Sequence, residues 1–126
     1  MTDVTPLLKA GQKIIQSYAA GKLKISGVYY EHPVIITPMA VDEWEISSLE
    51  KLSPQSFLHL KDEIDVLIIG SGRTGALLMP QKRIEFKEAG FSLEIMDTGA
   101  ACRTFNVLTA EGRRVAAALL LVGGKQ

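Results

Sequence analysis

The chain has 126 residues, 47% of them hydrophobic and 22% charged, and fourteen basic side chains balance fourteen acidic ones. That length fits one domain over 1–126, with its core across about 14–122, and leaves no room for two independent cores. A neutral chain whose basic residues fall in scattered pairs, Lys22/Lys24, Lys82/Arg83 and Arg113/Arg114, offers no stripe for nucleic acid.

Met1–Pro6 has neither a basic start nor a long apolar stretch, so no secretory or mitochondrial leader is expected and the cytoplasm is the expected location. The first third is β-like. Lys13–Tyr18 has β-branched and aromatic content, Ala19-Ala20-Gly21 can turn the chain, and Lys22–Ile25 alternates basic and apolar residues. Gly27 breaks that run; Val28–Tyr30 and Pro33–Thr37 follow, the latter ending at Pro38. Such short turns favour antiparallel pairing, and Trp44 is expected to pack its ring under this sheet. Ser53-Pro54 then opens a helix, a hydroxyl cap followed by a proline where no amide donor is needed, with Phe57 and Leu60 on one face. Ile64–Ile69 reads as an apolar strand ended by Gly70, and Pro80 starts a second helix stopped by Gly90.

Phe91–Met96 is the next strand, followed by a helix over Gly99–Glu111 capped by Asp97 or Thr98. Ala101, Phe105 and Leu108 form its core stripe with Cys102 beside it, while Arg103, Asn106 and Ala110 fall on another face. Gly112 supplies a left-handed stop. The last strand, Arg114–Val122, lacks alternation and should be covered on both faces. Its apolar run of eight residues from Val115 is far too short to span a membrane, so no membrane insertion is expected. Strands alternating with helices imply parallel pairing through right-handed crossovers. The fold class expected is therefore α/β: an antiparallel β section, then a βαβαβ section with parallel strands.

Gly70-Ser71-Gly72-Arg73-Thr74-Gly75 matches G-x-G-x-x-G after a strand, with Asp97 further on. The dinucleotide reading fails because Ala76–Met79 is too short for the required helix and ends at a proline. No cofactor is expected. Parallel strands at 64–69 and 91–96 would still bring the Gly70–Gly72 loop, Arg73 and the helix start at Thr98 to one end of the sheet. Glycine amides, a guanidinium and a helix terminus suit a small anion; the alternative is an Arg73 that points into solvent. Cys102, in the first turn beside Arg103, has a setting that can favour the thiolate, but no base can be placed beside it, and a small core residue is the simpler role. The lone cysteine excludes an internal disulfide, and neither His32 nor His59 completes a metal site. Ser71 does not lie in a serine-hydrolase elbow. Tyr29, Tyr30 and Trp44, if exposed together, would form a partner-binding patch.

At Met96-Asp97-Thr98, Ala101-Cys102, Thr104-Phe105-Asn106, Leu108 and Glu111-Gly112-Arg113 the chain resembles the Mth-like domain family, as it does at Gly70-Ser71-Gly72 and Ile35-Ile36-Thr37-Pro38. That family of unknown function includes the mitochondrial respiratory complex I assembly factor 3 and the adipogenesis-associated Mth-like protein. The resemblance implies a three-layer β/β/α domain with no established activity or cofactor, and members that act by binding other proteins. Two functions stay open. One is a non-enzymatic protein-binding module, an assembly or accessory factor whose partners are respiratory complex subunits. The other is a small anionic-ligand-binding protein or enzyme using Gly70, Gly72, Arg73, Thr98, Cys102 and Asn106 at one end of the sheet. Self-association is compatible with either.

Overall fold

The computed structural model describes residues 11–73 and 79–123, so readings that rest on Met1–Pro6 or on Thr74 and Gly75 lie outside the described residues. The chain runs β1 (Ile15–Ala19), β2 (Lys22–Ile25), β3 (Val28–Tyr30), β4 (Val34–Thr37), β5 (Ala40–Glu43), 3-10 helices at Leu49–Lys51 and Pro54–Leu60, β6 (Val66–Gly70), α1 (Pro80–Glu88), β7 (Leu93–Met96), α2 (Thr98–Ala110) and β8 (Val115–Leu119). β1, β2 and β3 form an antiparallel sheet; the other strands form a second sheet in the order β5-β4-β8-β6-β7. Within it β6 pairs parallel to both β7 and β8, and β4 pairs antiparallel to β5 and β8. The antiparallel-then-parallel order follows the expectation from strand and helix spacing.

Each face of the large sheet has its own core. Val34, Ile36, Val66, Ile68, Val115, Ala117 and Leu119 point one way, against Ala101, Cys102 and Phe105 of α2 and Ile15, Leu23 and Ile25 of the small sheet. Ile35, Leu67, Ile69, Ala116 and Ala118 point the other way, against Trp44, Leu52, Phe57, Leu60, Phe86 and Phe91. Strand residues alternate between faces with period two, so the unbroken apolar runs of β6 and β8 are what a doubly covered strand requires. Ala116 and Ala118 make room for a chain of aromatic rings, Trp44 to Phe57 to Phe86 to Phe91, with successive centroids 6.0, 6.1 and 6.1 Å apart. The layering is the three-layer one that was expected, with one refinement: α2 shares the outer layer with the small sheet, and α1 covers the opposite face.

Two elements differ from expectation. β5 is a strand where none was read, because Ala40–Glu43 is short, polar and mostly exposed, lacking the alternation that marks a half-buried strand. The helix after Ser53 is a 3-10 helix; Phe57 and Leu60, three apart, eclipse on its buried side, and Ser53 Oγ accepts from the Gln55 amide at 3.2 Å. Trp44 is buried as expected, but under a different sheet: the antiparallel strands expected over 13–37 divide between two sheets, and Trp44 packs on the face of the large sheet away from β1–β3, beneath Ile35 of β4.

Candidate functional site

From β6 the chain passes through α1 on one face to reach β7; from β7 it returns through α2 on the other face to β8, on the far side of β6. The carboxyl ends of β6 and β7 therefore lead to opposite faces, which makes the gap between them a topological switch point, where open α/β sheets place ligands. Gly70 lies in register with Met96, so the Gly70–Gly72 loop and the start of α2 do meet.

They meet too closely to leave a cradle. Ser71 N–H donates to the Met96 carbonyl (2.9 Å), the Ser71 hydroxyl to the same oxygen (3.1 Å), and Thr98 N–H to the Gly72 carbonyl (2.8 Å). In return, Gly72 N–H donates to Thr98 Oγ1 (2.9 Å), while the Thr98 hydroxyl donates to the Leu120 carbonyl (2.7 Å) and Leu120 N–H to the Gly70 carbonyl (2.9 Å). Thr98 is fully buried and joins the ends of three strands through one side chain. Gly70 is required by this closeness: a Cβ there would stand 2.9 Å from Leu119 Cδ2 and 3.0 Å from Thr98 Oγ1. The amides of Ser71, Gly72 and Thr98, which an anion site would need, are thus paired within the fold.

Asp97 caps α2, its carboxylate accepting from the Ala100 amide at 2.9 Å. Tyr18 closes the first turn from above. A Cβ on Gly99 would lie 2.8 Å from Tyr18 Cε2, and Arg103 Nη1 donates to Tyr18 Oη at 2.8 Å. Sequence reasoning assigned Tyr18 only to a strand; the signal available was a glycine in the first turn of a helix, where close approach by a neighbour is the usual reason for its presence.

Cys102 is buried in the core, and burial pushes its thiol up to about 12, outweighing the opposing pull of Arg103; Asp97 raises it further. The thiolate-favouring setting suggested by its helix position is therefore not realised, and the core role is. Asn106 stands two turns along α2 and does not join the loop. Its amide is used on β1, Nδ2 donating to the Ile15 carbonyl at 2.8 Å and Oδ1 accepting from the Ile15 N–H at 3.0 Å. Arg73 is exposed, its guanidinium beside Gly123. Of the six residues expected at this end, the structure brings together Gly70, Gly72 and Thr98, puts Arg73 at the rim, and turns Cys102 and Asn106 to other tasks.

The remaining candidates also resolve. His32 Nδ1 pairs with the Pro33 carbonyl at 3.0 Å and its ring meets Tyr30 edge-on, while His59 is exposed on its 3-10 helix. Trp44 is buried and Tyr30 half-buried, so Tyr29 alone of the three expected aromatics is exposed. Among the described residues no group of three potential ligands could hold a metal, and no helix is long and apolar enough to cross a membrane. One cavity of about 340 Å³ lies away from the switch point, lined by Pro38, Met39, Leu60, Ile64 and Arg113 among others. Another of about 480 Å³ lies between the β1–β2 turn, the β3–β4 link and the segment after β8, where Gly123 lines it.

A mixed five-stranded sheet that carries a small antiparallel sheet and α2 side by side on one face, with a closed switch point, is an α/β architecture shared with Mth938-like domains. Residues 15–120 match the family described as protein of unknown function DUF498/DUF598, and the chain belongs to that family. It is 34% identical to the NADH dehydrogenase [ubiquinone] 1 alpha subcomplex assembly factor 3 of Danio rerio over 85% of this chain and 63% of that one. The chain thus spans about three fifths of the length of the assembly factors it resembles. A crystal structure of a Bordetella parapertussis protein superposes with a TM-score of 0.79 at 30% identity, covering 89% of this chain and 98% of the other. The solution structure of a Bordetella pertussis Mth938-like domain gives a TM-score of 0.78 at 24% identity over 98% and 95%, a likeness of fold.

Proposed function

We propose that the chain is a protein-binding module that serves as an assembly or accessory factor for respiratory complex I, with subunits of that complex as its partners. The observation that carries this reading is the similarity to assembly factor 3 proteins, which runs over 85% of the chain. The switch point supports it from the other side: the loop and helix-start amides that a small anion would use are bonded to one another and to Met96, and the thiol at Cys102 is held protonated in the core.

Native co-purification on the full chain, with crosslinking and mass spectrometry, tests the reading. Recovery of complex I subunits at stoichiometric levels is the expected result. A bound metabolite with no protein partner, together with phosphate-induced shifts in amides 70–73 and 98–102, would overturn it in favour of a small-ligand protein.

A further inference from the structure

Among the described residues β3 is an edge strand of the small sheet with nothing paired to its outer side, and that side has properties that specify a partner. Ser26-Gly27 is a two-residue turn with both φ angles positive, 48° and 87°, and Ile25 pairs with Val28 across it. In such hairpins the residues flanking the turn exchange both backbone hydrogen bonds, and the next pair turns its N–H and C=O outward. That next pair is Lys24 and Tyr29. Lys24 therefore addresses β1, where it pairs with Ser17, while the N–H and C=O of Tyr29 address the open edge. Edge strands are commonly blunted by charge or proline. β3 is short, three residues, but carries neither within it: its sequence is Val28-Tyr29-Tyr30, with Val28 52% and Tyr29 59% exposed.

The outward face beside this edge is cationic. Lys22 and Lys24 hold their ammonium groups 5.7 and 5.5 Å from the centroid of the Tyr29 ring, and the other residues paired on that face are Ser17 and Ala19. The first carboxylate along the strand is Glu31, past its end, and among the described residues neither lysine is in a salt bridge.

We propose that β3 is a strand-addition site, and that an extended acidic segment of a partner protein pairs with Tyr29 and sets its carboxylates against Lys22 and Lys24. Main-chain bonds to an edge give affinity, and the side chains of alternate residues give selectivity. A second copy of this chain is disfavoured, because pairing β3 with β3 would bring the two lysine pairs together. The proposal rests on the binding-module reading and adds the chemistry of the partner.

The test is an NMR titration of the full chain at low ionic strength with an alternating Glu-Val pentapeptide and, as control, an alternating Lys-Val pentapeptide. The acidic peptide should shift amides 22–30 and slow exchange of the Tyr29 amide; the basic peptide should do neither. Lys22→Glu with Lys24→Glu, an exposed and a half-buried residue of the outward face, should weaken binding about tenfold, the loss expected for two charge contacts at the surface. Tyr29→Pro, which removes the outward N–H and leaves the β2–β3 bonds, should abolish the peptide-induced shifts at amides 22–28 and 30. Absent or dispersed shifts, equal binding of the basic peptide, or self-association through β3 in sedimentation would each overturn the proposal. If the peptide binds as described while native co-purification recovers no complex I subunit, the site stands and the assembly-factor reading fails. If subunits are recovered equally by the lysine and Tyr29 variants, the reverse holds.

Discussion

At the scale of single residues, Thr98 does the most for its size. Its hydroxyl accepts from Gly72 and donates to Leu120 inside a fully buried site, so an isosteric side chain without oxygen leaves a donor and an acceptor without partners. Thr98→Val should destabilise the protein by about 2–4 kcal/mol, the sum of two unsatisfied buried groups, whereas Thr98→Ser keeps both bonds and should recover most of that. Urea denaturation of the two variants separates the hydroxyl from the methyl; equal losses would sink the assignment. Cys102 gives a second residue-level prediction through its proton. The folded state holds the thiol proton more tightly than the unfolded chain, so this contribution is fully present below pH 9.0 and is lost as the pH climbs toward about 12. The stability of the wild type relative to Cys102→Ala should therefore fall above pH 9.0, at up to about 1.4 kcal/mol per pH unit. Below it the difference should be flat, and alkylation of the native protein should be far slower than that of a free thiol. A thiol alkylated at the free rate at pH 8 would contradict its burial.

At the scale of elements, α2 is a fastener as much as a core helix. Its inward stripe packs on the large sheet beside the small one, its start is held by Asp97 and Thr98, and Asn106 clips the backbone of β1 with two hydrogen bonds. Asn106→Ala should cost about 1–2 kcal/mol, since the released Ile15 groups regain water in part. Its signature is faster amide exchange in β1 with little change in β6; equal acceleration in both would mean that Asn106 acts on the whole fold. These elements differ in how far the sequence announced them. α2, β6 and β8 were legible because caps, a helical apolar stripe, glycine stops and unbroken apolar runs all pointed the same way. β5 was not, because an exposed edge strand such as Ala40–Glu43 is stabilised by backbone pairing to β4 and leaves no apolar pattern. The meeting of the Gly70–Gly72 loop with Thr98 was also legible from parallel pairing. What sequence could not convey was the distance: at hydrogen-bonding range the groups that would bind an anion bind each other. Asn106 was misplaced for a related reason, since helical spacing gives a face but not the element that lies against it.

At the scale of the whole molecule, the two sheets are unequally secured. β6 and β8 are buried on both faces and joined to each other in the centre of the large sheet, while the small sheet rests on one face through Ile15, Leu23 and Ile25 and leaves the other to solvent. Its outer side is held by short-range contacts of Lys22, Lys24 and Tyr29, each worth under about 1 kcal/mol at exposed positions. A layer with half the burial should open at lower free energy than the layer it rests on, by local unfolding that leaves the centre intact. Native-state hydrogen exchange should therefore show β2 and β3 amides exchanging at least about tenfold faster than those of β6 and β8, with β1 between them because Asn106 and Tyr18 tie it to α2. An acidic strand added at β3 would extend the layer and narrow that gap, so the same measurement with the Glu-Val peptide bound should slow β2 and β3 selectively. Uniform protection across both sheets would mean that the protein opens as one unit, and the small sheet would then have no separate freedom for a partner to remove.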